Sequence, residues 1–243
     1  CADEREARQL AGDLQSLTGQ EPVTLLAREW QFRPNAVASR EWERSRLAAL
    51  YRMASGAVPA VVATIDALMT RTLPPQRLAA LSVTLRPGDR VELGALTERL
   101  VQAGYSRCEQ VEGVGQFAIR GGILDVFSPL MEQPVRCEFF DDEVDSLGAF
   151  DPGTQRRTEN VSVALLLPAA EVLPGLAPGG PARLAEELER LAVKYAKKAE
   201  TAAVAQTLRG DAERFRTGAA MEGLDRYLSL IYPDAVCGAD YLP

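Results

Sequence analysis

Chemistry in this chain has to be done with carboxylates, arginines and four scattered cysteines, because its 243 residues include no histidine. A Ser-His-Asp triad, a Cys-His pair and a histidine metal ligand are therefore excluded. No lysine follows a glycine, so the Gly-Lys-Ser/Thr loop that cradles phosphates is missing. Cys1, Cys108, Cys137 and Cys237 lie far apart with no Cys-x-x-Cys spacing, and read as free thiols. The acidic run Asp141, Asp142, Glu143, Asp145 lacks the Asp-x-Asp-x-Asp-Gly order of a calcium loop and reads as a charged hairpin. Paired-carboxylate acid/base chemistry has no further support. These patterns predict no catalytic residue, no metal and no cofactor.

What remains is recognition. In Val135-Arg136-Cys137-Glu138-Phe139-Phe140 the side chains of a strand alternate, so Val135, Cys137 and Phe139 share the core face. Arg136, Glu138 and Phe140 then share the other. In Gln116 to Arg120 the same alternation buries Phe117 and Ile119 and turns Gln116, Ala118 and Arg120 outward. If the two strands share a sheet, Arg120, Arg136 and Phe140 gather on one exposed face. Arginine and an aromatic ring are frequent anchors of protein–protein hot spots. A second reading stays open: Phe140 covered by a neighbouring helix, and the arginines paired with Glu138 or Asp142. Trp30, Trp42 and Tyr51 read as packing residues rather than a base-stacking platform.

The elements that would position these residues follow from periodicity. Ala7, Leu10, Ala11 and Leu14 recur at helical spacing behind a candidate N-cap, Asp3. A strand over 23–27, a helix over 39–54 stopped by Gly56, a strand over 61–64 and a short helix around 66–70 follow. Pro74-Pro75 is expected to break that helix before a strand over 81–85. Alternating strand and helix favours a parallel sheet covered by helices. Such folds normally start on a strand, so a first strand is expected upstream of Cys1. After the turn Arg86-Pro87-Gly88-Asp89 one helix (93–103) precedes strands at 105–111, 116–120, 123–127, 135–140, 144–150 and 161–167, the pattern of a small antiparallel sheet with one helix. A Pro/Gly connector (174–181) leads to helices over 182–200, 202–215 and 222–231.

A net charge of -7 argues against general nucleic-acid binding, which needs cations for phosphates. Only Lys194, Lys197 and Lys198 of the 27 basic residues are lysines, a bias that GC-rich coding explains. With 47% apolar residues the chain can bury a core, and no membrane span or secretory signal is visible.

The run GVGQFAIRGGILDVFSP (113–129), followed by PVRCEFFDDEVDSLGAFDPGTQR (134–156), resembles the second domain of the bacterial transcription-repair coupling factor family. That family shares its amino-terminal module with the excision-repair helicase UvrB. Agreement continues in REWQFRPNAVASREWERSRLAALYR (28–52), VVATIDALMTRTLPP (61–75), LLLPAAEVL (165–173) and YPDAVCGADYLP (232–243), and is weakest over 182–218. The resemblance implies a fold that is α/β plus α+β: a UvrB-like, degenerate helicase-type α/β domain split between 1–85 and 169–243, with a β-rich domain (86–168) inserted.

It also implies a role. The inserted domain would bind UvrA, linking a stalled RNA polymerase to excision repair in the bacterial cytoplasm, with Arg120, Arg136 and Phe140 as the UvrA-contacting residues. RNA polymerase and DNA would be bound by other domains of the full-length protein, whose own carboxy-terminal domain would cover the UvrA-binding face. The UvrB-like domain would lack a working phosphate loop, whose place lies upstream of Cys1. Arg136→Ala is expected to abolish UvrA binding without unfolding. Two other readings are a fragment of UvrB itself, a DNA-binding ATPase, and a scaffold that only masks its own carboxy-terminal domain.

Overall fold

The computed structural model describes residues 1–27, 40–56, 58–219, 221 and 223–242. Two compact units divide the chain: Cys1–Glu171 with Val236–Pro243, and Val172–Ala235.

The first unit opens on α1 (Glu4–Thr18), whose N-cap Asp3 accepts from the Glu6 N–H as its sequence suggests. Of the apolar stripe only Ala7 is fully buried, while Leu10 is exposed. β1 (Val23–Leu25) follows, then α2 (Arg40–Ala54), which buries Leu47 and Leu50. The indole of Trp42 donates to the Ala27 carbonyl at 2.7 Å, a packing role, and Tyr51 is half-buried. Trp30 lies outside the described residues. β2 (Val61–Ala63) pairs in parallel with β1. Thr64 caps α3 (Ile65–Met69), and β3 (Arg71–Thr72) follows.

Pro74-Pro75 departs from expectation. It starts a helix, α4 (Pro75–Leu81), because proline at the first helical position loses only an N–H that has no partner there anyway. The expected strand shrinks accordingly to β4 (Val83–Leu85).

α5 (Leu93–Gln102) then packs against a six-stranded sheet of β5 (Ser106–Arg107), β6 (Gln116–Arg120), β7 (Ile123–Val126), β8 (Val135–Phe140), β9 (Glu143–Phe150) and β10 (Arg157–Asn160). The strands lie in the order β10-β9-β8-β7-β6-β5, antiparallel except for β5 against β6. The core joins Leu96 and Leu100 of α5 to Phe117, Leu124, Val126, Cys137 and Leu147 of the sheet. Two expected strands are redrawn: 105–111 keeps only β5, and 161–167 keeps only β11 (Ala164–Leu166), while β10 forms just before it where no strand was expected.

β11 pairs antiparallel with β4, so the chain enters and leaves the sheet region through adjacent strands. β12 (Val236–Cys237) likewise returns to pair with β3. A segment that enters and leaves side by side can be accommodated within another domain without disturbing it.

The second unit is helical. α6 (Gly180–Tyr195) and α7 (Ala202–Thr217) bury Leu184, Leu188, Leu208 and Phe215. The expected helix over 222–231 is a 3₁₀ turn (Leu224–Tyr227) running into the short α8 (Leu228–Ile231). Tyr227 donates to the buried Asp211 carboxylate, which also meets Arg214 and Arg226. This mixture of helices and several small sheets agrees with the expected fold class.

Candidate functional site

Register assembles the site on the sheet face opposite α5. Antiparallel pairing sets Ala118 opposite Asp125, and Asp125 opposite Arg136. One row further along, Arg120 lies opposite Ile123, and Ile123 opposite Glu138. Cross-strand partners point the same way. Arg120, Asp125, Arg136, Glu138 and Phe140 therefore share one face, and strand alternation between β6 and β8 holds as expected for these side chains.

Two hairpin tips close that end of the sheet. Gly121-Gly122 joins β6 to β7, and Asp141-Asp142 joins β8 to β9. They meet where the Phe139 N–H donates to the Gly122 carbonyl at 2.8 Å. A Cβ on Gly122 would lie 2.9 Å from the Phe139 carbonyl oxygen, so only glycine fits this approach. The contact fixes the strand end that carries Phe140.

Phe140 stands 80% exposed, the most exposed aromatic residue among those described. The reading in which a helix covers it is not what the fold shows. Arg120 is 51% exposed. Arg136 differs, at only 20%.

The arginines have a partner that neither open reading named. Asp125 is 1% exposed, and its Oδ1 accepts from Arg136 Nε at 2.7 Å. Its Oδ2 accepts from Arg136 Nη2 at 2.9 Å and from Arg120 Nη2 at 2.7 Å. The expected pairing of these arginines with Glu138 or Asp142 does not form; Glu138 accepts instead from Arg157 and Ser146. Gly148, opposite Arg136 on β9, leaves the space through which the Arg157 guanidinium crosses the sheet.

Arg136 is further held by stacking. Its guanidinium carbon lies 4.8 Å from the Phe150 ring centroid, and Nη1 donates to the Gln155 carbonyl. The Asp125 bonds, first among the causes, raise the Arg136 pKa above its usual value.

Ala118 is a correction. Expected to face outward, it is buried with Val111, Phe127 and Phe150 in a second small cluster. The 151–156 turn, where Gln155 adopts a positive φ of 60°, closes over this part of the sheet, and Gln155 Nε2 donates to the Val111 carbonyl. The outward face is thus apolar and covered at one end, charged in the middle, and open at Phe140. At roughly 3.3 Å per residue the Phe140 and Arg136 backbones lie about 13 Å apart along β8. The three predicted residues share a face, but the ring stands apart from a tight arginine–carboxylate cluster.

Sequence reasoning missed Asp125, Phe150 and Gln155. A signal for Asp125 existed: an acid inside the apolar run Ile-Leu-Asp-Val-Phe, on the same alternation face as Ile123. Among the described residues no three cysteine or acidic side chains come together as a metal ion would require. No helix of the described residues is long and apolar enough to cross a membrane.

Known proteins share this segment. The family model described as the UvrB interaction domain matches residues 83–171, the span from β4 to just beyond β11. A transcription-repair-coupling factor of Bacillus subtilis (strain 168) is 34% identical over 244 residues, covering 98% of this chain and 20% of that protein. The Myxococcus xanthus protein of the same name is 38% identical, covering 71% of this chain and 15% of its own length, and that of Escherichia coli (strain K12) 34%, covering 70% and 15%. The chain thus spans a fifth or less of the length of these relatives. Residues 83–171 thus match the UvrB interaction domain model, and the chain as a whole is similar to a segment of the bacterial transcription-repair-coupling factors.

Proposed function

We propose that this chain is a docking module of transcription-coupled repair, which binds UvrA through the sheet face carrying Arg120, Arg136 and Phe140. The exposed Phe140 ring carries the reading: a large aromatic at a pinned hairpin end, on the same sheet face as the arginines, has no use to the fold that leaves it in water. Buried beneath a partner, such a ring is a typical hot-spot anchor.

The proposed division is a UvrB-like α/β domain in two parts, 1–85 and 169–243, around an inserted UvrA-binding domain, 86–168. The family match over 83–171 and the adjacent strands β4 and β11 support it. In the longer parent protein, other domains would engage RNA polymerase and DNA, and its own carboxy-terminal domain would compete for the same face. The module itself would act by binding rather than catalysis, in the cytoplasm where its partners work.

Isothermal titration of the chain with purified UvrA tests this. Wild-type chain should bind, and Phe140→Ala should bind at least about 30-fold more weakly, the equivalent of roughly 2 kcal/mol. Equal binding by both would reject the face.

A further inference from the structure

The docking face contains a buried acid that the residue pattern assigns no role, and its geometry gives it one. We propose that Asp125 is a positioning residue of that face: its carboxylate, locked by Arg136, holds the guanidinium of Arg120 in the orientation a partner meets. The inference rests on the docking reading above.

The order of constraint runs outward through the sheet. Arg136 is fixed first, by the Phe150 ring 4.8 Å beneath it and by the Gln155 carbonyl. It grips Asp125 with two parallel bonds of 2.7 and 2.9 Å, the fork geometry that restrains both planes. The carboxylate so held accepts at Oδ2 from Arg120 Nη2 at 2.7 Å. Within this cluster Arg120 spends one N–H of the five it carries, and half its side chain remains exposed. One end of its guanidinium is anchored and the other is presented. An arginine held in one rotamer before association loses less freedom on binding.

The charges identify what the presented edge recognises. Two guanidiniums against one carboxylate leave a net +1, with unused donors on the outer side, so the matching group on the partner is a carboxylate. Asp125 therefore acts against simple electrostatics: removing its charge raises the positive charge of the face, yet should weaken binding to an acidic site.

That opposition supplies the test. Asp125→Asn, Arg120→Lys, Phe140→Ala and the double variants are titrated with purified UvrA at two salt concentrations, below each variant's melting temperature. Asp125→Asn should weaken binding about 10-fold in the wild-type background and by a similar factor on Phe140→Ala. In Arg120→Lys, where the guanidinium that Asp125 orients is already gone, it should change affinity less than twofold. Arg136→Lys, which keeps charge but loses both the fork and the stacking, should behave as Asp125→Asn does and serves if that variant does not fold. Unchanged or tighter binding by Asp125→Asn, or an equal loss in every background, overturns the positioning role. If wild-type chain does not bind UvrA, the docking reading fails and this inference with it. If Phe140→Ala loses binding while Asp125→Asn does not, only the inference falls.

Discussion

Phe140→Ala and Arg136→Ala are both expected to weaken or abolish UvrA binding, but for reasons that stability measurements separate. A phenylalanine side chain buries about 150–250 Å² when covered. With 80% of Phe140 in water, a partner could cover about 160 Å² of it, worth about 4 kcal/mol at 25 cal/mol per Å² before ordering costs and about 2–3 kcal/mol after them. The fold loses almost nothing, since an exposed residue away from caps and pairs shifts stability by about 0.5 kcal/mol at most. Arg136→Ala instead strips two charge-assisted bonds from a carboxylate that is 1% exposed and removes the cover of the Phe150 ring. Leaving a buried acid half-paired costs about 3 kcal/mol, or roughly 6–12 °C of melting temperature for a chain of this size. Arg136→Ala should therefore fold but melt early, and Phe140 is the cleaner probe. Thermal melts beside titration calorimetry check both. A Phe140→Ala chain that melts more than about 2 °C early, or that keeps its affinity, would refute the reasoning, as would an Arg136→Ala chain of unchanged stability.

Other expectations follow from the same geometry. Arg46 and Glu171 form a buried pair at 3.2 Å, so Glu171→Ala should destabilise by about 3–5 kcal/mol, seen as a lower denaturant midpoint that added salt does not restore. Burial raises the Cys137 thiol pKa, so alkylation at neutral pH should modify half-buried Cys1 and Cys237 and spare Cys137 until the chain unfolds; mass spectrometry of the early product reads this directly. Burial likewise raises the phenol pKa of Tyr105 and Tyr227 above the usual 10 or so. Both stay protonated in the fold while the unfolded chain ionises. The stability they contribute is complete below about pH 10 and lost as pH rises beyond it, so their ultraviolet phenolate signal should appear together with alkaline unfolding. Tyr105→Phe, which removes the donor to the buried Leu167 carbonyl, should cost about 1–3 kcal/mol in chemical denaturation.

Much of this was legible residue by residue, because local patterns report local structure. Asp3 predicts the start of α1, alternation in β6 and β8 separates Phe117 and Cys137 from Arg120 and Phe140, and the dipeptides Gly121-Gly122 and Asp141-Asp142 mark hairpin tips. Failures came where two local signals competed. Pro75 can end one helix or begin the next, and only its neighbours in space choose. Residues 105–111 carry strand-like composition, yet only β5 finds a partner, since a strand exists through pairing that lies outside its own sequence.

By itself, then, the chain's sequence determined its apolar periodicities, its lack of histidine and phosphate-loop chemistry, and which side of each strand Phe140 and the arginines occupy. Tertiary structure alone decided the rest: that Asp125 lies in register between Arg120 and Arg136, that Phe150 and Gln155 brace Arg136, and that Ala118 is buried although it alternates outward. The physical reason is range. Side-chain direction along a strand is set by the backbone's own two-residue repeat, whereas the partner opposite depends on register and on distant turns folding back, which no local pattern encodes.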